Sequence, residues 1–151
     1  MVLAFYGQPH SPREIKTWSR GHEYNPSQPF TDFTATYYND LLSGLRNHGI
    51  TWTDQIFSND DSGFQTGLEE IEIQIDDGHP VLVDTDLYSL GHTFVLSGYD
   101  LTNEAVIAVD PFATAPGMSE ISFEDFKAIW NASKTGSNHR AAIFTTAPDS
   151  Q

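Results

Sequence analysis

The stretch Gly91-His92-Thr93-Phe94-Val95-Leu96-Ser97-Gly98-Tyr99-Asp100, with the return Val106-Ile107-Ala108-Val109-Asp110-Pro111, reads as a β-hairpin. A histidine opens an apolar run, Asp100 to Glu104 makes the turn, and the second run ends in Asp-Pro. Residues at equal distance from a hairpin's turn centre lie opposite each other. A centre near Leu101 or Thr102 therefore sets His92 beside Asp110. Cross-strand neighbours have Cβ atoms about 4.5–5.5 Å apart, and somewhat more on a diagonal. At that separation a carboxylate can hold an imidazole, fix its tautomer and stabilise its protonated form, leaving the second ring nitrogen to serve a nucleophile. The same residues also have a plain structural reading. A histidine before a strand is usually a surface or packed residue, and Asp-Pro is a common turn opener.

Working outward, Val81-Leu82-Val83 and Ala141 to Thr145 are further β-rich runs bounded by turn residues. Between them Ser122 is a helix N-cap, and Phe123, Phe126, Ile129 and Trp130 follow at helical spacing. The first half of the chain has a different period. Met1 to Tyr6 is apolar from its first residue and reads like the middle of a buried helix, stopped by Gly7. Ser11-Pro12-Arg13-Glu14 is a capping box with proline at the first helical position, so a short helix follows with Ile15 and Trp18 facing inward. Gly21 to Phe30 is a loop by its prolines and polar residues. Tyr37, Tyr38, Leu41, Leu42 and Leu45 predict a helix over 35–47, ending at Gly49. Thr51 to Phe57 fits a short strand and Ser58 to Gly63 a polar turn. Gly67 to Asp77 fits either period, but its acidic, Gln-containing interior and Gly78 favour a helix. Helices first and antiparallel strands second make an α+β chain, with no internal repeat or low-complexity segment.

Composition bounds the chemistry. A chain of 151 residues with 38% apolar and 13% aromatic residues suits one compact domain with a real core. No stretch approaches the roughly 20 consecutive apolar residues of a membrane helix. No basic region leads into an apolar run at the N-terminus, so cytoplasm is the default location. Twenty-one acids against 7 Lys+Arg give a net charge of −14. That disfavours nucleic acid or an anionic membrane as a partner. The acids are spread along the chain, which fits either a salt-adapted surface or an ordinary acidic protein. There is no cysteine. Disulfides, thiolate metal sites and a cysteine nucleophile are thereby excluded among these residues.

The run Asp77-Gly78-His79-Pro80-Val81-Leu82-Val83, the Gly91-His92 strand ending in Gly98-Tyr99-Asp100, the Val109-Asp110-Pro111 strand end and the helix from Ser122 to Trp130 occur in a characteristic order. In that order they resemble the bacteriocin-processing (double-glycine leader) peptidase-like group of papain-like cysteine peptidases. Met1-Val2-Leu3-Ala4-Phe5-Tyr6-Gly7 resembles the end of that group's catalytic helix, so the resemblance spans nearly the whole chain. It implies a papain-like α+β fold, helices of the first half packed on an antiparallel sheet from the second, in a single domain over residues 1–151. It also implies peptide-bond hydrolysis on a peptide or protein substrate, with His92 and Asp110 as the His/Asp pair and no cofactor. The group's cysteine would stand about seven positions before Met1, at a helix N-terminus whose dipole and N–H groups favour a thiolate. A glutamine slightly earlier would help form the oxyanion hole. The expectation is a domain lacking its Cys-bearing helix start, inactive as given.

Two other readings stand beside this one. The chain is a non-catalytic papain-fold domain that binds peptides or a partner. Or its resemblance is fold-deep only. Other chemistry is less well supplied. There is no His-Glu-x-x-His, and His79 and His92 lack a third ligand for zinc. Ser58 to Gly63 misses calcium-loop spacing, no Gly-x-Ser-x-Gly elbow is present, and Ser89 and Ser97 read as turn and strand residues.

Overall fold

The computed structural model describes residues 1–19, 36–87, 91–112, 117–131 and 139–148. The chain divides into two compact units, Met1–Thr53 with Thr146–Gln151, and Asp54–Thr145. The first unit is helical. Helix α1 (Val2–Phe5) buries Val2 and Leu3 and ends at Gly7, whose φ of 77° is left-handed. Helix α2 (Pro12–Trp18) carries the expected capping box: the Ser11 hydroxyl accepts from the Glu14 N–H at 3.2 Å and the Glu14 carboxylate from the Ser11 N–H at 2.7 Å. Helix α3 (Tyr38–Arg46) is shorter than its periodicity suggests among the described residues, because Tyr37 is already its extended N-cap. It buries Leu42 and Leu45. Trp18 is not in the core: it is half-buried, stacked on His48 at 3.9 Å between ring centroids. A Cβ at Gly44 would lie 2.5 Å from the Trp18 carbonyl oxygen, so glycine permits the close approach of α2 and α3. The expected loop Gly21 to Phe30 lies outside the described residues.

The second unit is a sheet with two helices. Its strands are β1 (Thr53–Ser58), β2 (Val81–Thr85), β3 (His92–Asp100), β4 (Ala105–Val109), β5 (Ser119–Ser122) and β6 (His139–Phe144). They form a six-stranded sheet in the order β1-β6-β2-β3-β4-β5. The pairs β2–β3, β2–β6, β3–β4 and β4–β5 are antiparallel. Helix α4 (Asp61–Asp76) precedes β2, and α5 (Phe123–Ile129) follows β5.

The ambiguous Gly67 to Asp77 segment is helical, but α4 starts six residues earlier than that segment. Half of the expected polar turn is helix. The Asp60 carboxylate caps it, accepting from the Gly63 N–H at 2.7 Å, and glycine is needed there because a Cβ would lie 2.0 Å from the Ser58 carbonyl oxygen. Strand β5 had no sequence signal: Ser119-Glu120-Ile121-Ser122 is too polar, and it pairs at the sheet edge in register with Ala105–Ala108 of β4.

One face of the sheet makes the core. Val81 and Val83, Phe94 and Leu96, Val106 and Ala108, and Ala142 and Phe144 all meet Phe64, Leu68 and Ile71 of α4, Phe126 of α5, and Trp130. Ile71 at 0% exposure and Ile73 at 53% separate the two faces of α4. The buried Arg140 guanidinium closes the far end of α5. Its Nη1–H groups donate to the carbonyls of Lys127, at 2.9 Å, and Trp130, satisfying oxygens the helix leaves unpaired.

Candidate active site

His92 and Asp110 meet. His92 opens β3, and its side chain lies on the core face with Phe94 and Leu96, at the end of the sheet where the core stops. Asp110 follows directly on β4, whose Val106 and Ala108 point to the same face. Val109 pairs with Val95, so Asp110 stands level with Phe94 and reaches His92 on the diagonal. The Nε2–O distance is 2.6 Å, with side chains 6% and 13% exposed. A carboxylate only accepts, so Nε2–H donates to Oδ1. At this length and burial the bond is of the strong, charge-assisted kind.

The pair is held from several sides. The Phe112 N–H donates to the same Asp110 Oδ1 at 2.8 Å, an Asx turn that orients the carboxylate. The Phe112 ring lies 5.1 Å from the imidazole, tilted by 35°, and is itself 71% exposed. On the other side Thr85, in register with His92, donates its hydroxyl to the His92 carbonyl at 2.7 Å. Before His92 the chain passes through Gly91 in a left-handed conformation, φ 78°.

Asp84 is a second carboxyl on the neighbouring strand, on the opposite face of the sheet from His92. It pairs with Thr93 in the ladder, and burial pushes its carboxyl up to about 6, opposed by the Thr85 N–H and by the charge of His92. Among the described residues no three histidine or acidic side chains converge to hold a metal ion. No described helix is long and apolar enough to cross a membrane.

The sequence pattern sets His92 beside Asp110, as found, but does not mark Thr85, Asp84 or Phe112. The alternation of β2 could have flagged Asp84 and Thr85 as one outward and one inward residue. Nothing in the order of residues marks Phe112 beyond its place after Asp-Pro.

The family model described as "Peptidase_C39 like family" matches residues 1–138. Among solved structures, the N-terminal peptidase C39-like domain of a toxin secretion ATP-binding protein from Vibrio parahaemolyticus is similar at 14% identity and a TM-score of 0.57, covering 96% of this chain and 90% of that one. A double-glycine motif protease from an AMS/PCAT transporter, in complex with the leader peptide, is similar at 17% identity and a TM-score of 0.55, covering 97% and 79%. At these identities the likeness is one of fold. No curated protein matches the chain.

Proposed function

Because the chain belongs to the Peptidase C39-like family, we propose that residues 1–151 are a single papain-like domain carrying the acid–base half of a cysteine-peptidase site for peptide or protein substrates. The observation that supports this is the buried His92–Asp110 hydrogen bond of 2.6 Å. Asp110 holds Nε2, so proton exchange with a nucleophile falls to Nδ1. In the complete site His92 takes the proton of a thiol as its sulfur attacks the scissile carbonyl carbon. It then gives that proton to the leaving amine as the C–N bond breaks. Water, deprotonated by His92, next cleaves the thioester and regenerates the thiol. None of these 151 residues is a cysteine, so the sulfur is not one of theirs. The leader peptide bound by the double-glycine protease suggests an extended peptide as the substrate class. A cytoplasmic location goes with this reading.

The test starts at the reading frame upstream of Met1. A cysteine codon about seven positions ahead, at the start of a helix, predicts that the extended protein cleaves peptides and that His92→Ala abolishes cleavage. An in-frame stop immediately before Met1, with no such codon, sinks the reading.

The absence of cysteine favours a second reading, a non-catalytic domain that binds peptides. Calorimetry would then detect peptide binding by the purified chain without turnover. Cleavage by that chain, lost in His92→Ala, would exclude it.

A further inference from the structure

We propose that Thr85 is a positioning residue for His92, stapling the last rung of the β2–β3 ladder so that the imidazole stays on Asp110. The inference rests on the reading of His92 and Asp110 as the working pair, but its argument is geometric. Thr85 and His92 are the final pair of this ladder, because β2 ends at Thr85 and β3 begins at His92. A terminal rung has a neighbouring pair on one side only, and such ends open first in native proteins. His92 is also preceded by Gly91 in a left-handed conformation, which other residues rarely adopt. The ring that holds the 2.6 Å bond to Asp110 is therefore mounted at the end of its strand.

Thr85 adds a side-chain bond at that strand end. It is 1% exposed, and its hydroxyl donates to the His92 carbonyl at 2.7 Å, across the rung rather than along the chain. β-Branching limits its χ1, so the hydroxyl is held toward β3. The neighbouring inward residue, Val83, shows that an aliphatic side chain suits this face of β2. A threonine at the last rung spends a hydroxyl where valine would fill the space, and the hydroxyl's partner is the backbone of His92. The staple, the strand end and the Asp110 bond together leave the imidazole little freedom.

Three variants of the 151-residue chain, Thr85→Val, Thr85→Ser and Thr85→Ala, test this by NMR. The readouts are the low-field Nε2–H proton of His92 in its bond to Asp110, and amide hydrogen exchange at His92 and Thr93. Thr85→Val is expected to speed that exchange roughly five- to tenfold, the loss of one net hydrogen bond, and to broaden or shift the Nε2–H resonance. Thr85→Ser, which keeps the hydroxyl, restores both. If Thr85→Val does not fold, Thr85→Ala against Thr85→Ser gives the same comparison. A folded hydroxyl-free variant whose Nε2–H resonance and local exchange match the wild type overturns the proposal, even if its global stability falls. That result leaves the peptidase reading untouched, and failure of the extended protein to cleave peptides leaves the staple untouched.

Discussion

His92 and Asp110 share a face of the sheet because Ser97 stands outside the β3–β4 ladder. Near the turn Asp100 pairs with Ala105, Tyr99 with Val106 and Gly98 with Ile107. Beyond Ser97 the register steps by one, so that Leu96 pairs with Ala108 and Val95 with Val109. Continued without that step, the turn's register would pair Val95 with Asp110. His92, Phe94 and Leu96 would then point to the opposite face from Val106, Ala108 and Asp110. A one-residue slip reverses every side chain. Burial of Phe94 and Leu96 against α4 and Trp130 outweighs the cost of an irregular ladder, and the bulge takes up the extra residue.

Deleting Ser97 should therefore preserve the pair. The remaining residues keep all their native partners in a regular ladder, and the low-field His92 proton should persist in a variant whose melting temperature moves by only a few degrees. Loss of that resonance in a folded deletion would show that the bend of the bulge aims His92.

Asp84 should make stability fall as pH rises. Its carboxyl has a folded value of about 6 against an ordinary 3.8, because burial disfavours the charged form. Below both values it is neutral in both states and carries no penalty. Between them the unfolded chain ionises first, so the fold loses stability as pH climbs from about 4 to about 6, and the loss is then complete. Asp84→Asn should flatten that segment and stabilise the protein at pH 7 by up to about 3 kcal/mol. Urea midpoints from pH 4 to 8 check it, and a variant that keeps the wild-type slope contradicts it.

Asp110→Asn keeps the shape of the pair and removes its charge. Where the thiol is present, it should lower kcat by about 10²–10⁴-fold, with KM little changed. In the 151-residue chain it should cost about 1.5–3 kcal/mol of stability, the worth of a hydrogen bond to a charged group. Equal stability of the two proteins in urea would show that the bond contributes nothing to the fold.

Gly67→Ala should destabilise despite alanine's better helix propensity. A Cβ there would lie 2.5 Å from Trp130 Cη2 and 3.1 Å from Phe57 Cδ2. Overpacking of this kind costs about 1–3 kcal/mol, against about 1 kcal/mol gained from propensity. Pairing it with a smaller residue at position 130 should recover part of the loss, measured by thermal unfolding.

The capping box at Ser11, the N-cap at Ser122 and the strands around His92 were legible because their signals are local: a cap is set by three residues and a strand by its alternation. The start of α4 was misread because Asp60 and Gly63 are turn residues that here cap and open a helix. Strand β5 was missed because an edge strand needs only one neighbour and little burial, so its residues carry no apolar pattern.

The sequence by itself determined that a histidine and an aspartate would end two adjoining strands and that no thiol stands among these residues, since hairpin symmetry and a residue count need no fold. Only the tertiary structure decided that the two side chains point to one face, that Thr85 and Phe112 contact them, and that Asp84 ionises late. The face and the ionisation depend on burial that the local sequence does not set: α4 and Trp130 choose the face of β3, and burial in the fold disfavours the charged form of Asp84.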